Sequence, residues 1–184
     1  MILGCIDIGS NTTRLLVADA GNGRLRELAT QRAFTRIGRS MRDGGSIPAD
    51  KIEETAEVAA SQARSAREAG AEDVAAVATA AIRGAPNRDE LVEAVQSAAE
   101  VTLRVLSGEE EARLAFVGAT RTLTTPPEGT MAVIDVGGGS TELAIGDPRG
   151  DVDWSGSFRI GSGYLADSYL RSDPPSATPV QGSA

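Results

Sequence analysis

Histidine is absent from the 184-residue chain, and cysteine and lysine occur once each, as Cys5 and Lys51. Without histidine there is no zinc site of the Cys/His kind, no Ser-His-Asp triad and no Cys-His dyad. One cysteine excludes an internal disulfide, and Cys5 is expected in the core as a small apolar side chain. Lys51 does not stand in a Gly-Lys-Ser/Thr sequence, so there is no Walker phosphate loop. Aromatic residues make up only 3% of the chain, which leaves Ala, Val, Ile and Leu to build the interior. No apolar run reaches the roughly 18 residues that mark a membrane span. The apolar start, Met1–Ile8, is broken by Asp7 and lacks a basic leader, so it does not read as a signal peptide. A cytoplasmic protein that does not engage a membrane is expected. The excess of 26 acidic over 18 basic residues gives a formal charge of −8. That balance opposes broad nucleic-acid binding but permits a local anion pocket built from a few arginines and backbone N–H groups. Any catalysis must therefore draw on carboxylates, arginines and backbone dipoles, with or without a hard metal ion.

Hydrophobic patterning divides the chain. Strands are expected at Met1–Ile8, Arg14–Ala20 and Arg24–Arg36, the last two joined by a hairpin turn at Gly21-Asn22-Gly23. A polar loop over Gly38–Gly45 follows. Pro48-Ala49-Asp50 opens a long helix whose small apolar residues Ala56, Ala59, Ala63 and Ala66 recur at helical spacing, and Gly70 ends it. Val74–Thr79 reads as a strand, Asn87 or Asp89 as the cap of a second helix, and Leu103–Leu106 as another strand. Ser107 then caps a third helix, forming a capping box with Glu110. The order βββαβαβα over residues 1–124 is a complete α/β lobe. After a linker at Thr124–Gly129, strands are expected at Thr130–Val136, Thr141–Ile145 and Val152–Ile160, with a helix starting in Gly161–Leu170. Residues 125–170 thus open a second lobe of the same type without completing it, and 171–184 read as a disordered tail.

The two lobes begin alike. Asp7-Ile8-Gly9-Ser10-Asn11-Thr12 matches Asp135-Val136-Gly137-Gly138-Gly139-Ser140 at a spacing of 128 residues. A strand ending in Asp, a glycine-bearing turn and a second strand can cradle phosphate: glycine permits close approach and positive φ, and consecutive N–H groups then form an anion nest. The aspartate before such a turn can hold a divalent cation that bridges phosphate oxygens. One such turn is an ordinary hairpin; two equivalent turns imply a shared phosphate site between facing lobes. The dinucleotide fingerprint does not fit, because Glu142 stands where its third glycine belongs and a strand follows instead of a helix. Arg83 lies just past a buried strand, where open α/β sheets carry ligand-binding residues. In Ser107-Gly108-Glu109-Glu110-Glu111, helix capping and the dipole account for Glu109 and Glu110 but do not call for a third acid at Glu111.

Four segments in order, Cys5–Thr12, Ala78–Arg83, Ser107–Arg113 and Ile134–Glu142, resemble the exopolyphosphatase/guanosine pentaphosphate phosphatase family of the actin-like, sugar-kinase superfamily. The resemblance covers roughly residues 2–170 and implies a ribonuclease H-like, actin-like α/β fold with a phosphate-chain cleft between two lobes. It implies Glu111 as the catalytic glutamate that activates water. Gly9, Ser10, Asn11, Thr12, Arg83, Gly137, Gly138, Gly139 and Ser140 would bind phosphate, and Asp7, Asp135 and Glu142 would attend a Mg²⁺ ion. The implied activity is hydrolysis of terminal phosphoanhydride bonds in polyphosphate or pppGpp. Family members continue past residue 184 to complete the second lobe, so a non-catalytic polyphosphate- or (p)ppGpp-binding module is an alternative, as is an ATP-dependent kinase or ATPase of the same fold. The incomplete second sheet leaves an edge and an apolar face, so self-association, as in a homodimer, or instability is expected.

Overall fold

The computed structural model describes residues 1–21, 25–41, 45–125, 127–149 and 151–170. The expected hairpin turn at Asn22-Gly23, part of the Gly38–Gly45 loop, Pro126 of the linker and the tail from Arg171 lie outside the described residues.

The first sheet contains β1 (Ile2–Ile8), β2 (Thr13–Asp19), β3 (Arg26–Ala33), β4 (Asp73–Ala78) and β5 (Thr102–Val105) in the order β3-β2-β1-β4-β5. β1, β2 and β3 run antiparallel as a meander, while β4 and β5 add in parallel beside β1. Each parallel step needs a helical crossover. These are α2 (Ala49–Glu68) and α4 (Arg88–Ala99). The alanine spacing of α2 gives it a narrow face that approaches the sheet closely, and Ala59, Ala63 and Ala66 are fully buried there. Together with Ile6, Ile8, Leu15, Val17, Leu91 and Val95 they form the main core.

The expected βββαβαβα order holds, with two short helices added. The third strand stops at Ala33, earlier than its apolar pattern predicted, and α1 (Ile37–Ser40) occupies part of the predicted loop. Arg36, at the entry to α1, sits in the left-handed region at φ 51°, a conformation incompatible with a continuing strand. α3 (Ala80–Arg83) turns the stretch after β4 into one helical turn and ends on Arg83.

Cys5 corrects the sequence reading: it is exposed. Along β1, Ile6 and Ile8 face the helices, so strand alternation turns Cys5 and Asp7 to the opposite face, which no helix covers among the described residues.

α5 (Gly108–Thr122) leaves the first sheet and packs on the second, which contains β6 (Met131–Val136), β7 (Thr141–Gly146) and β8 (Val152–Phe158) in antiparallel order β6-β7-β8. Its buried Ala112 and Phe116 meet Ala144, with Met131, Val133 and Val152 around them. The predicted capping box starts this helix: Ser107 Oγ accepts from Glu110 N at 3.1 Å, and Glu110 Oε2 accepts from Ser107 N at 2.8 Å. α6 (Ser162–Tyr169) follows β8. Among the described residues, no helix is long and apolar enough to cross a membrane.

Candidate active site

The repeated motif folds into two turns with the same closure. Gly9 N donates to Thr12 O at 2.9 Å, and Gly137 N donates to Ser140 O at 2.9 Å. The strands behind them keep the same register, pairing Asp7 with Arg14 in the first sheet and Asp135 with Glu142 in the second. Each turn is fastened from behind by the segment that enters the next helix. Ser10 O and Asn11 O accept from Gly38 N and Arg36 N at 2.8 and 3.0 Å. Gly137 O accepts from Ser162 N at 2.9 Å, and Gly138 O from Gly163 N and Tyr164 N at 2.9 and 3.1 Å. In a planar trans peptide the N–H points away from the C=O. Tying these carbonyls down therefore turns the following N–H groups, those of Asn11, Thr12, Gly138 and Gly139, the other way.

The turns touch one another. A Cβ on Gly139 would collide with Ser10 Oγ, and one on Gly138 would meet Asn11 Cβ at 3.3 Å. Of the two freedoms expected of these glycines, close approach is the one in use. Among the described residues, the glycines with positive φ are Gly70 and Gly129, neither of them in a turn of the repeat. Gly161 serves the same purpose from behind, since a Cβ there would lie 2.5 Å from the Gly138 carbonyl.

Arg83 and Glu111 meet beside Glu142. Arg83 Nη1 donates to Leu106 O at 2.8 Å and to Glu111 Oε2 at 2.9 Å, and Arg83 Nη2 donates to Ser157 Oγ at 3.5 Å. Ser157 Oγ in turn donates to Glu142 Oε1 at 2.7 Å. Glu142 is buried, Arg83 and Glu111 are partly so, and Asp135 is exposed. Burial pushes the Glu111 carboxyl up from its ordinary value; the Arg83 hydrogen bond opposes that, and the charges of Glu142 and Asp7 add to it. A carboxylate raised in this way is a better proton acceptor near neutrality. Asp7 is also pushed up, first by burial and then by Asp135, against the pull of Arg14. Its Oδ1 is buried without a hydrogen-bond partner.

The site residues expected from sequence lie on the turns, on the strands that lead into them (Asp7 and Asp135) or in the Arg83–Glu111–Glu142 cluster, and the charges of Asp135 and Asp7 act on Asp7 and Glu111 respectively. Among the described residues, however, no three His, Cys, Asp or Glu side chains gather into a metal cluster. An orphaned carboxylate oxygen fits a hard cation that takes one or two protein acids and completes its shell with phosphate and water, as Mg²⁺ does. Sequence reasoning missed Ser157 and the fastening segments Arg36–Gly38 and Gly161–Tyr164. A serine in a strand carries no signal of its own; only its register opposite Glu142 marks it.

The chain resembles known proteins over nearly its whole length. Residues 16–183 match the model of the Ppx/GppA phosphatase family. An uncharacterised protein of Streptomyces coelicolor is 37% identical over 177 residues, covering 96% of this chain and 52% of the relative. Exopolyphosphatase 1 of Mycobacterium tuberculosis is 34% identical over 180 residues, covering 95% of this chain and 51% of the enzyme. Among solved structures, the Aquifex aeolicus member of the Ppx/GppA family superposes with a TM-score of 0.81 at 35% identity, over 96% of this chain and 56% of that one. The chain spans about half the length of the curated relatives it matches. With an actin-like α/β fold and two matched turns facing each other, this chain belongs to the Ppx/GppA phosphatase family.

Proposed function

We propose that the protein of which this chain forms the cleft hydrolyses the terminal phosphoanhydride bond of a phosphate chain, inorganic polyphosphate or pppGpp, by direct attack of water. The observation that carries the reading is the Glu111–Arg83 pair standing beside Glu142 and the two facing turns. Family membership and the exopolyphosphatase relatives support the reaction class.

Glu111 takes the proton of the attacking water, a task suited to a carboxylate raised by burial. The new bond forms between water oxygen and terminal phosphorus as the bridging P–O bond breaks, releasing inorganic phosphate and a chain shorter by one unit. The N–H groups of both turns, with Ser10, Asn11, Thr12 and Ser140, hold the equatorial oxygens, and Gly9 and Gly137–Gly139 admit them closely. Arg83 orients Glu111 and adds positive charge near the transferred group. Asp7 is the first candidate to hold a divalent cation, with Asp135 and Glu142 lending charge around it; when bound, such an ion neutralises phosphate charge.

The test is phosphate release from long-chain polyphosphate and from pppGpp in the presence of Mg²⁺, comparing this chain with its Glu111→Gln variant. A loss of about 10²–10⁴-fold is expected for the variant. Equal release from both would remove Glu111 from the proposed role. Tight binding of either substrate with no release from the unmodified chain would favour a binding module.

A further inference from the structure

We infer that Ser157 is a positioning residue of this cleft: its hydroxyl fixes the Glu142 carboxylate and couples it to the guanidinium that holds Glu111. The inference rests on the hydrolytic reading above for its kinetic consequence, and on geometry alone for its structural one.

Glu142 is only 3% exposed, and a carboxylate in so dry a place needs a donor. Among the described residues, that donor is Ser157, placed directly opposite Glu142 in the β7–β8 register and donating at 2.7 Å. A hydroxyl has one proton to give and can accept in return. With its proton committed to Glu142, Ser157 Oγ turns lone pairs outward, and Arg83 Nη2 approaches them at 3.5 Å. The result is a directed chain from guanidinium to hydroxyl to carboxylate. One arginine thereby serves two acids: Glu111 directly through Nη1, and Glu142 through Ser157. Charge at one end of such a chain strengthens the bonds along it.

A second feature maintains the junction. Gly108, the first residue of α5, leaves the space that Ser157 fills: a Cβ there would lie 2.7 Å from Ser157 Cβ and 3.3 Å from its Oγ. Gly118, further along the same helix, has nothing within 4 Å of its missing side chain. The glycine at 108 is therefore tied to a contact, whereas the one at 118 is not. The capping box at Ser107 and Glu110 fixes where the helix starts, and so fixes Gly108 against β8. The same first turn of α5 presents Glu111 to Arg83 and admits Ser157 to Glu142.

Ser157 touches Glu142 and the arginine that holds Glu111, so it acts through them. In phosphate-release assays, Ser157→Ala is expected to lower kcat by about tenfold to a hundredfold with KM nearly unchanged, the range for losing a group that orients a functional ligand. Adding Ser157→Ala to Glu142→Gln should cost nothing further, because the hydroxyl has no carboxylate left to position. Gly108→Ala, which retains the hydroxyl but pushes it away, should reproduce the Ser157→Ala phenotype. Crystal structures supply the readout that does not need activity: in Ser157→Ala the Glu142 carboxylate should swing out of its place while β7 and β8 stay put. If the unmodified chain releases no phosphate, the hydrolytic reading fails and the crystal structures alone decide on Ser157. A Glu142 that keeps its place in Ser157→Ala, an additive loss in the double variant, or a Ser157→Ala protein that no longer folds would each overturn the positioning role.

Discussion

The two repeats share a turn, a strand register and an Asp before the turn, yet they bury opposite faces. In the first sheet, α2 and α4 cover the face that carries Ile6 and Ile8, both fully buried. Their counterparts 128 residues on, Ile134 and Val136, are 64% and 61% exposed. In the second sheet, α5 covers the other face, the one with Val133, Glu142 and Ala144. The matching face of the first sheet, with Cys5, Asp7, Arg14 and Leu16, is the wall of an open groove of about 670 Å³. One helix thus belongs by sequence to the first repeat and by packing to the second. The consequence reaches the candidate site: α5 carries Glu111 across to the sheet that holds Glu142, and Arg83 reaches over from the first.

The comparison can be broken experimentally. Phe116→Ala removes the one large side chain that, among the described residues, is buried between α5 and the second sheet. It should cost about 3–5 kcal/mol, read as loss of α5 and second-sheet protection in hydrogen exchange while the first sheet stays protected. Loss spread evenly over both sheets would mean they unfold as one unit. Ile6→Ala and Ile134→Ala truncate equivalent positions. The first should cost about 2–5 kcal/mol by denaturant titration, and the second no more than about 0.5 kcal/mol, as for an exposed site. Equal costs would show that the outer face of the second sheet is covered in solution.

The smallest effect separates the two aspartates. Asp7 is partly buried, with one carboxylate oxygen buried and unpartnered, whereas Asp135 is exposed. Because folding raises the Asp7 pKa, the fold is favoured when this group is protonated, and that contribution is lost as pH rises through the raised value. Asp7→Asn should therefore stabilise the protein at neutral pH by about 1 kcal/mol, the lower end of the cost of an unsatisfied buried group. The gain over the unmodified protein should shrink as pH falls toward the ordinary aspartate range. Asp135→Asn should leave the melting curve nearly unchanged at every pH. A gain from neither variant would show that Asp7 finds a partner in solution.

Much of the site was legible in the chain because its markers are local. The 128-residue repeat gave both turns, and the surplus acid at Glu111 stood out against a capping box that explains its neighbours. The element order was legible for the same reason, since strand alternation and the alanine spacing of α2 are written in consecutive residues. Each difference has its own physical cause. Cys5 looks apolar in an apolar strand, and only knowledge of which face α2 covers places it outside. β3 was read too long because a left-handed residue at Arg36 has no compositional signature. Ser157 was invisible because its role depends on a partner strand and on a glycine 49 residues away.

The sequence by itself determined the repeat, the class of fold, the chemistry available to a chain without histidine, and the candidate residues for it. Those depend on covalent order and on side-chain type, which short-range sterics and solvation translate directly into turns, strands and helices. Only the tertiary structure decided that α5 crosses to the second sheet, which face of each sheet is covered, and that Arg83 joins Glu111 to Glu142 through a serine. Those outcomes depend on which surfaces pack together across the whole chain, a competition that no single segment encodes.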